Sequence, residues 1–239
     1  MTRTKPPEQR RSELLGAARE LFIAKGVTKT SMDEITRSAG VSKGLAYVYF
    51  RSKGDLIAAL QSDFSLQLAT KLELAIAGQQ GWGAKLDACV RASFDFYREL
   101  HELHEVIFRH TSVGDGGYGG GDDGTDDDDS DRHDDDRHPP HARVSRTLSA
   151  LLRDGVSAGA YRVEDPEMTA GLLYIALHAF DPAYLGGGAG GGGGAGGGTV
   201  GGTDGGTDGG SGDEGQADID ARLIGAAQTL FRRAAGYIA

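Results

Sequence analysis

Thr30 to Phe50 of this 239-residue chain reads TSMDEITRSAGVSKGLAYVYF. Ser31, with Glu34 three positions on, is the pattern of a capping box: the serine oxygen accepts from a first-turn amide and the glutamate reaches back to the serine N–H. Ile35 is the inward anchor of that short helix, which ends near Gly40. Ser42 then caps a second helix running through Phe50. Two short helices joined by a tight glycine-containing turn form a helix-turn-helix over about residues 31–50. On the second helix Ala46 and Phe50 share the face that packs on Ile35. Gly44, Leu45 and Val48 lie opposite, flanked by Lys43, Tyr47 and Tyr49, with almost no carboxylate nearby. A helix that only filled a core would not need those polar groups. In a major groove the strip would meet base edges while its flanks met phosphates. Tyrosine hydroxyls, backbone N–H groups at a helix start and a lysine all suit phosphate oxygens, and Gly44 lets the backbone come close.

Working outward, Glu8 to Lys25 carries Leu14, Ala17, Ala18, Leu21 and Phe22 on one stripe, with Gly26 at the C-terminal stop. Ser52 starts a fourth helix that extends to about Ala77. Trp82 to Val113 reads as two helices broken near Leu100 to Leu103, and Ala142 to Ala158 as another with Val144, Leu148, Leu151, Leu152 and Val156 inward. Pro166 suits a helix start, where its missing N–H does no harm. Met168 to Phe180 contains no Asp, Glu, Lys or Arg, so it should be buried all round, between its own core and something else. Ile219, Leu223, Ala226, Ala227, Leu230 and Ala234 give a last amphipathic helix. No strand pattern of any length is present. The expected fold is all-α, with about nine helices: an N-terminal three-helix helix-turn-helix domain and a larger C-terminal helical domain.

Composition sharpens this division. The tract 114–140 holds eleven aspartates against two arginines, and 186–216 holds nineteen glycines and four carboxylates. Both lack apolar groups whose burial could offset the entropy of ordering, so both read as disordered insertions. They account for more than the whole formal charge of −10, leaving the helical parts slightly basic. Residues 1–70 hold eleven Lys or Arg against seven Asp or Glu, an asymmetry that points to nucleic acid. The single cysteine, Cys89, excludes a disulfide framework within the chain. No signal peptide or membrane-spanning run is visible, and a cytoplasmic location is expected.

The stretch TSMDEITRSAGVSKGLAYVYFRSKGDL, together with the preceding LLGAARELFIAKGV, resembles the DNA-binding signature of the tetracycline-repressor (TetR) family, over about residues 8–68. The resemblance implies a flexible arm at 1–7, a DNA-binding domain at 8–68, and a ligand-binding and dimerisation domain at 69–239. It implies a homodimer with a four-helix interface that binds a double-stranded DNA operator and a small-molecule effector, without a cofactor. Thr30, Ser42, Lys43, Gly44, Tyr47, Tyr49 and Lys53 fall at positions that the family uses against DNA. Leu45 departs from the small or polar residue usual there and suits a thymine methyl; Val48 completes the strip. The candidate effector pocket comprises Phe94, Tyr97, His104, Phe108, Tyr174 and His178. The candidate dimer interface comprises Leu172, Ile175, Leu223 and Leu230. The leading function is a transcriptional repressor released from its operator by its effector.

Two other readings compete with this one. HELHE, His101 to Glu105, is not the H-E-x-x-H zinc motif, because its second histidine comes one residue early. His101 and His104 could still share a helix face, and with the aspartate-rich tract and its histidines His133, His138 and His141 they suggest a metal-responsive regulator. An enzyme with an acquired DNA-binding module is the third reading. Against it, Cys89 has no evident histidine partner, and the glycine runs lack the strand–turn–helix context of a phosphate cradle. No catalytic residue and no metal ligand is assigned.

Overall fold

The computed structural model describes residues 6–112, 142–179 and 211–238, and the acidic tract and most of the glycine tract lie outside these. The described residues form nine helices and no strand: α1 Pro7–Lys25, α2 Met32–Ser38, α3 Lys43–Tyr49, α4 Lys53–Ala77, α5 Trp82–Glu99, α6 His101–Ser112, α7 Ala142–Ser157, α8 Pro166–Ala179 and α9 Ser211–Ala234. None of these is long and apolar enough to cross a membrane.

Local chemistry explains most of the boundaries. Gly26 ends α1 at φ 82°, a left-handed conformation that favours glycine, and its N–H reaches the Phe22 carbonyl. The capping box on α2 is complete: Glu34 N–H donates to Ser31 Oγ, and Ser31 N–H donates to Glu34 Oε2 at 2.9 Å. At the start of α4 Asp55 N–H donates to Ser52 Oγ, and the Asp55 carboxylate accepts from Arg51 N–H and from the Ser52 hydroxyl. Asp165 accepts from Met168 N–H at the start of α8, just before Pro166. The break between α5 and α6 falls at Leu100.

The chain divides into two compact units, Met1–Thr70 with Leu100–Val144, and Lys71–Glu99 with Ser145–Ala239. In the first, α1 packs on α2 and on α6. Leu14, Phe22, Ile35, Leu56, Phe64 and Ile107 form its core, and Gln61 Nε2 donates to the Ile107 carbonyl at 2.6 Å. Thus α6, which the sequence reading assigns to the domain 69–239, belongs with the helix-turn-helix unit. Its apolar side (Leu103, His104, Ile107) meets partners from α4 across some forty residues of sequence, a pairing that no local pattern encodes.

In the second unit α5 is the common support for α8 and α9. Leu86, Val90, Phe94 and Tyr97 of α5 are buried, as are Leu173 and Leu177 of α8 and Ile224, Ala227 and Phe231 of α9. Arg232 Nε donates to Asp87 Oδ1 at 2.9 Å and ties the end of α9 to α5.

Two outer faces stay uncovered within the chain, and two expectations change. The uncharged part of α8, residues 168–179, buries one face in its own unit and leaves Met168, Leu172 and Ile175 exposed on the other. The stripe Ile219–Leu223–Leu230 of α9 is likewise mostly its outer side, with Ile219 and Leu230 exposed and Leu223 half-buried, whereas Ile224 and Phe231, one position on, face α5. Both stripes of α9 are apolar, so periodicity does not choose between them. Val156 likewise points outward from α7. Finally, α9 begins at Ser211, inside the tract read as loop to Gln216, since adding turns to an existing helix avoids the cost of nucleating one.

Candidate nucleic-acid interface

The interface is built on the turn between α2 and α3. Gly40 takes φ 65°, and Val41 N–H donates back to the Thr36 carbonyl at 3.0 Å, which closes α2 and aims the chain into α3. Ser42 Oγ then accepts from Leu45 N–H. Ala46 and Phe50 are buried on the inner face of α3, and the Arg11 guanidinium lies over the Phe50 ring, 5.3 Å from its centroid. With those residues held inside, α3 must present its other face to solvent. Val48 is 76% and Tyr47 42% exposed; Ser42, Lys43 and Gly44 are exposed, and Leu45 and Tyr49 are half-buried. A Cβ added at Gly44 would meet nothing within 4 Å, so the close-approach surface there is open.

Seven of the nine candidate DNA contacts therefore lie on or beside one strip. Thr30 and Lys53 do not. Thr30 is buried, with Oγ1 donating to the Gly26 carbonyl at 2.8 Å, and it stabilises the turn after α1. The Lys53 ammonium donates to the carbonyls of Val27 (2.8 Å) and Thr30 (3.1 Å), fastening the start of α4 to that same turn. Both residues hold the frame of the helix-turn-helix.

A carboxylate that sequence reasoning overlooked sits at the strip. Asp33 of α2 reaches Lys43 at 2.9 Å, although it lies ten positions upstream. The hydrogen bond from Lys43 to Asp33 raises the lysine above its ordinary pKa, with the carboxylate's charge adding to it. The surroundings of Lys43 are therefore not free of negative charge, contrary to the expectation from Ala39 to Phe50 alone. The neighbouring Glu34 is occupied elsewhere. Its pairing with Lys25, and then with the Ser31 N–H and hydroxyl, holds its carboxyl down at about 2.

The six candidate pocket residues are distributed between the units. In the second, the Tyr97 hydroxyl and His178 Nδ1 are 2.7 Å apart, and the Tyr174 hydroxyl lies 3.2 Å from His178 Nε2. Phe94 is buried on the same helix as Tyr97. Burial raises the Tyr174 hydroxyl well above its ordinary pKa, so it is a neutral hydrogen-bonding group. In the first unit, His104 and Phe108 stack with one another and with Phe64. His101 is exposed while His104 is buried, so the two do not share an environment. Among the described residues no group of three or more His, Cys, Asp or Glu is placed to hold a metal ion. The tract with His133, His138 and His141 lies outside them. Cys89 is buried on α5, and desolvation pushes its thiol up to about 12, far from a reactive thiolate.

Comparison with known proteins agrees with this geometry. Residues 14–60 match the family described as bacterial regulatory proteins, tetR family. Over 108 residues the chain is 34% identical to the HTH-type transcriptional activator FasR of Mycolicibacterium smegmatis, covering 45% of this chain and 49% of that one. It is 30% identical over 95 residues to the HTH-type transcriptional repressor KstR2 of the same organism, covering 40% and 46%. The chain thus spans about half the length of these curated relatives. Its fold is that of a TetR-family regulator from Mesorhizobium loti, described as putative, with a TM-score of 0.60 at 18% identity over 98% of this chain and 100% of that one. A helix-turn-helix with its outer strip exposed, the match over that same segment and the shared all-helical fold together support a TetR-family transcriptional regulator, the family to which residues 14–60 are similar.

Proposed function

We propose that this protein is a sequence-specific DNA-binding regulator that acts as a homodimer and is released from its operator by a small-molecule effector. The observation that carries the reading is the outer strip of α3, where Lys43, Gly44, Tyr47 and Val48 are exposed on a helix whose other face is locked into the core. A dimer would place two such helices in successive major grooves of a near-palindromic site. The apolar outer sides of α8 and α9, with Leu172, Ile175, Leu223 and Leu230, are the surfaces that we assign to dimerisation. We assign effector recognition to the second unit, where the hydroxyls of Tyr97 and Tyr174 meet His178 beside buried Phe94. An effector that favours one dimer geometry shifts the population away from the DNA-competent one, by no more than its differential affinity for the two.

The test is binding to a duplex selected from a random-sequence library with the wild-type protein. Lys43→Ala should weaken affinity and lower the slope of log K against log salt by about one unit, while melting is unchanged. Unchanged affinity and slope would remove this face from the interface.

A further inference from the structure

We propose that Asp33 is an internal competitor for DNA phosphate: it holds the Lys43 ammonium in the free protein and lowers affinity for any duplex. This inference rests on the reading of the α3 strip given above, and it adds a residue that lowers the binding strength of that strip. Lys43 is the first residue of α3, and Asp33 lies in the first turn of α2, so the turn between the helices brings the two charges together at 2.9 Å. Their side chains are 61% and 56% exposed, so the pair stands at the rim of the strip. A pair so exposed contributes little to folding. Its geometry is instead that of a carboxylate standing where a phosphate oxygen would stand.

The electrostatics work in one direction. To meet a phosphate, Lys43 must leave Asp33 or share its protons with it. Once it does, an uncompensated carboxylate remains beside the polyanion and repels it. Glu34, the adjacent carboxylate, is taken up by Lys25 and by the cap of α2, which leaves Asp33 as the negative group that faces Lys43. Phosphate contacts carry no base information, so the effect acts equally on operator and on unrelated DNA.

The experiment is a double-mutant cycle on the full-length chain, using the selected duplex and an unselected duplex of the same length. Asp33→Asn should tighten binding to both by about two- to fivefold, the range expected for losing one exposed pair. The ratio between the two duplexes should stay the same. In a Lys43→Ala background the gain should fall to less than half, because only the repulsion then remains to be relieved. Asp33→Ser, which also suits the start of a helix, serves as the second variant, and circular dichroism checks the fold of each. Unchanged or weaker binding in both Asp33 variants, with Lys43→Ala still weakening binding, overturns this inference and leaves the interface standing. If Lys43→Ala leaves affinity unchanged, the interface and this inference fall together.

Discussion

Leu172→Glu separates association from folding. Leu172 is 60% exposed on α8, whereas its neighbour Leu173 is 3% exposed against the core. Burying a whole leucine contributes roughly 1.5–3 kcal/mol, so covering the exposed part of Leu172 by a second copy contributes about 1–2 kcal/mol. A twofold interface uses each residue twice, which makes about 2–4 kcal/mol per dimer. Glutamate forfeits this and adds the cost of burying an unpaired carboxylate. The dimer dissociation constant should therefore rise by at least about thirtyfold and up to several hundredfold. Within the single chain the substitution sits on an exposed face, so its effect on unfolding should stay within about 0.5 kcal/mol. Leu173→Glu, by contrast, should unfold the second unit. Sedimentation velocity over a dilution series, with urea melts in parallel, reads both quantities. Operator affinity should fall with association, although residues 1–70 are untouched. A Leu172→Glu protein that associates like wild type, or a wild-type protein that is monomeric at micromolar concentration, would refute this placement of the interface.

Two further predictions concern stability. A Cβ at Gly155 would stand 2.0 and 2.1 Å from two ring carbons of Tyr161, whose ring is buried and whose hydroxyl donates to the Trp82 carbonyl at 2.7 Å. Gly155→Ala should thus destabilise by about 1–3 kcal/mol in urea melts, and a loss below about 0.5 kcal/mol would show that the ring moves freely. Glu34, held at about 2 by Lys25 and Ser31 against an ordinary 4.5, should stabilise the folded state fully above the ordinary value and lose that contribution as pH falls through about 2. The melting temperature of wild type should exceed that of Glu34→Gln at pH 7, with the gap closing in acid; a gap that does not depend on pH would disprove the linkage.

The helix boundaries were legible because each rests on contacts three or four residues apart. The Ser31–Glu34 box, the Ser42 cap, the Gly26 stop and the start at Pro166 need only local backbone geometry, which residue type and spacing determine. The exposed strip of α3 was legible for a related reason. Ala46 and Phe50 are its core residues, and a helix with one buried side leaves the opposite side outward.

The remaining features depend on how whole helices pack. In α9 both Ile219–Leu230 and Ile224–Phe231 make apolar stripes, and only packing on α5 selects the second as the inner one. The Lys53 ammonium finds the carbonyls of Val27 and Thr30 across more than twenty residues, and so it braces the turn after α1. Asp33 reaches Lys43 only because α2 and α3 meet at the angle set by Gly40 and by the burial of Ile35 and Ala46. A residue's type and spacing thus determined which helices form and where they stop, because those energies are local. Which partner each charge and each second stripe meets was left to the packing of whole helices, whose geometry depends on every core side chain at once.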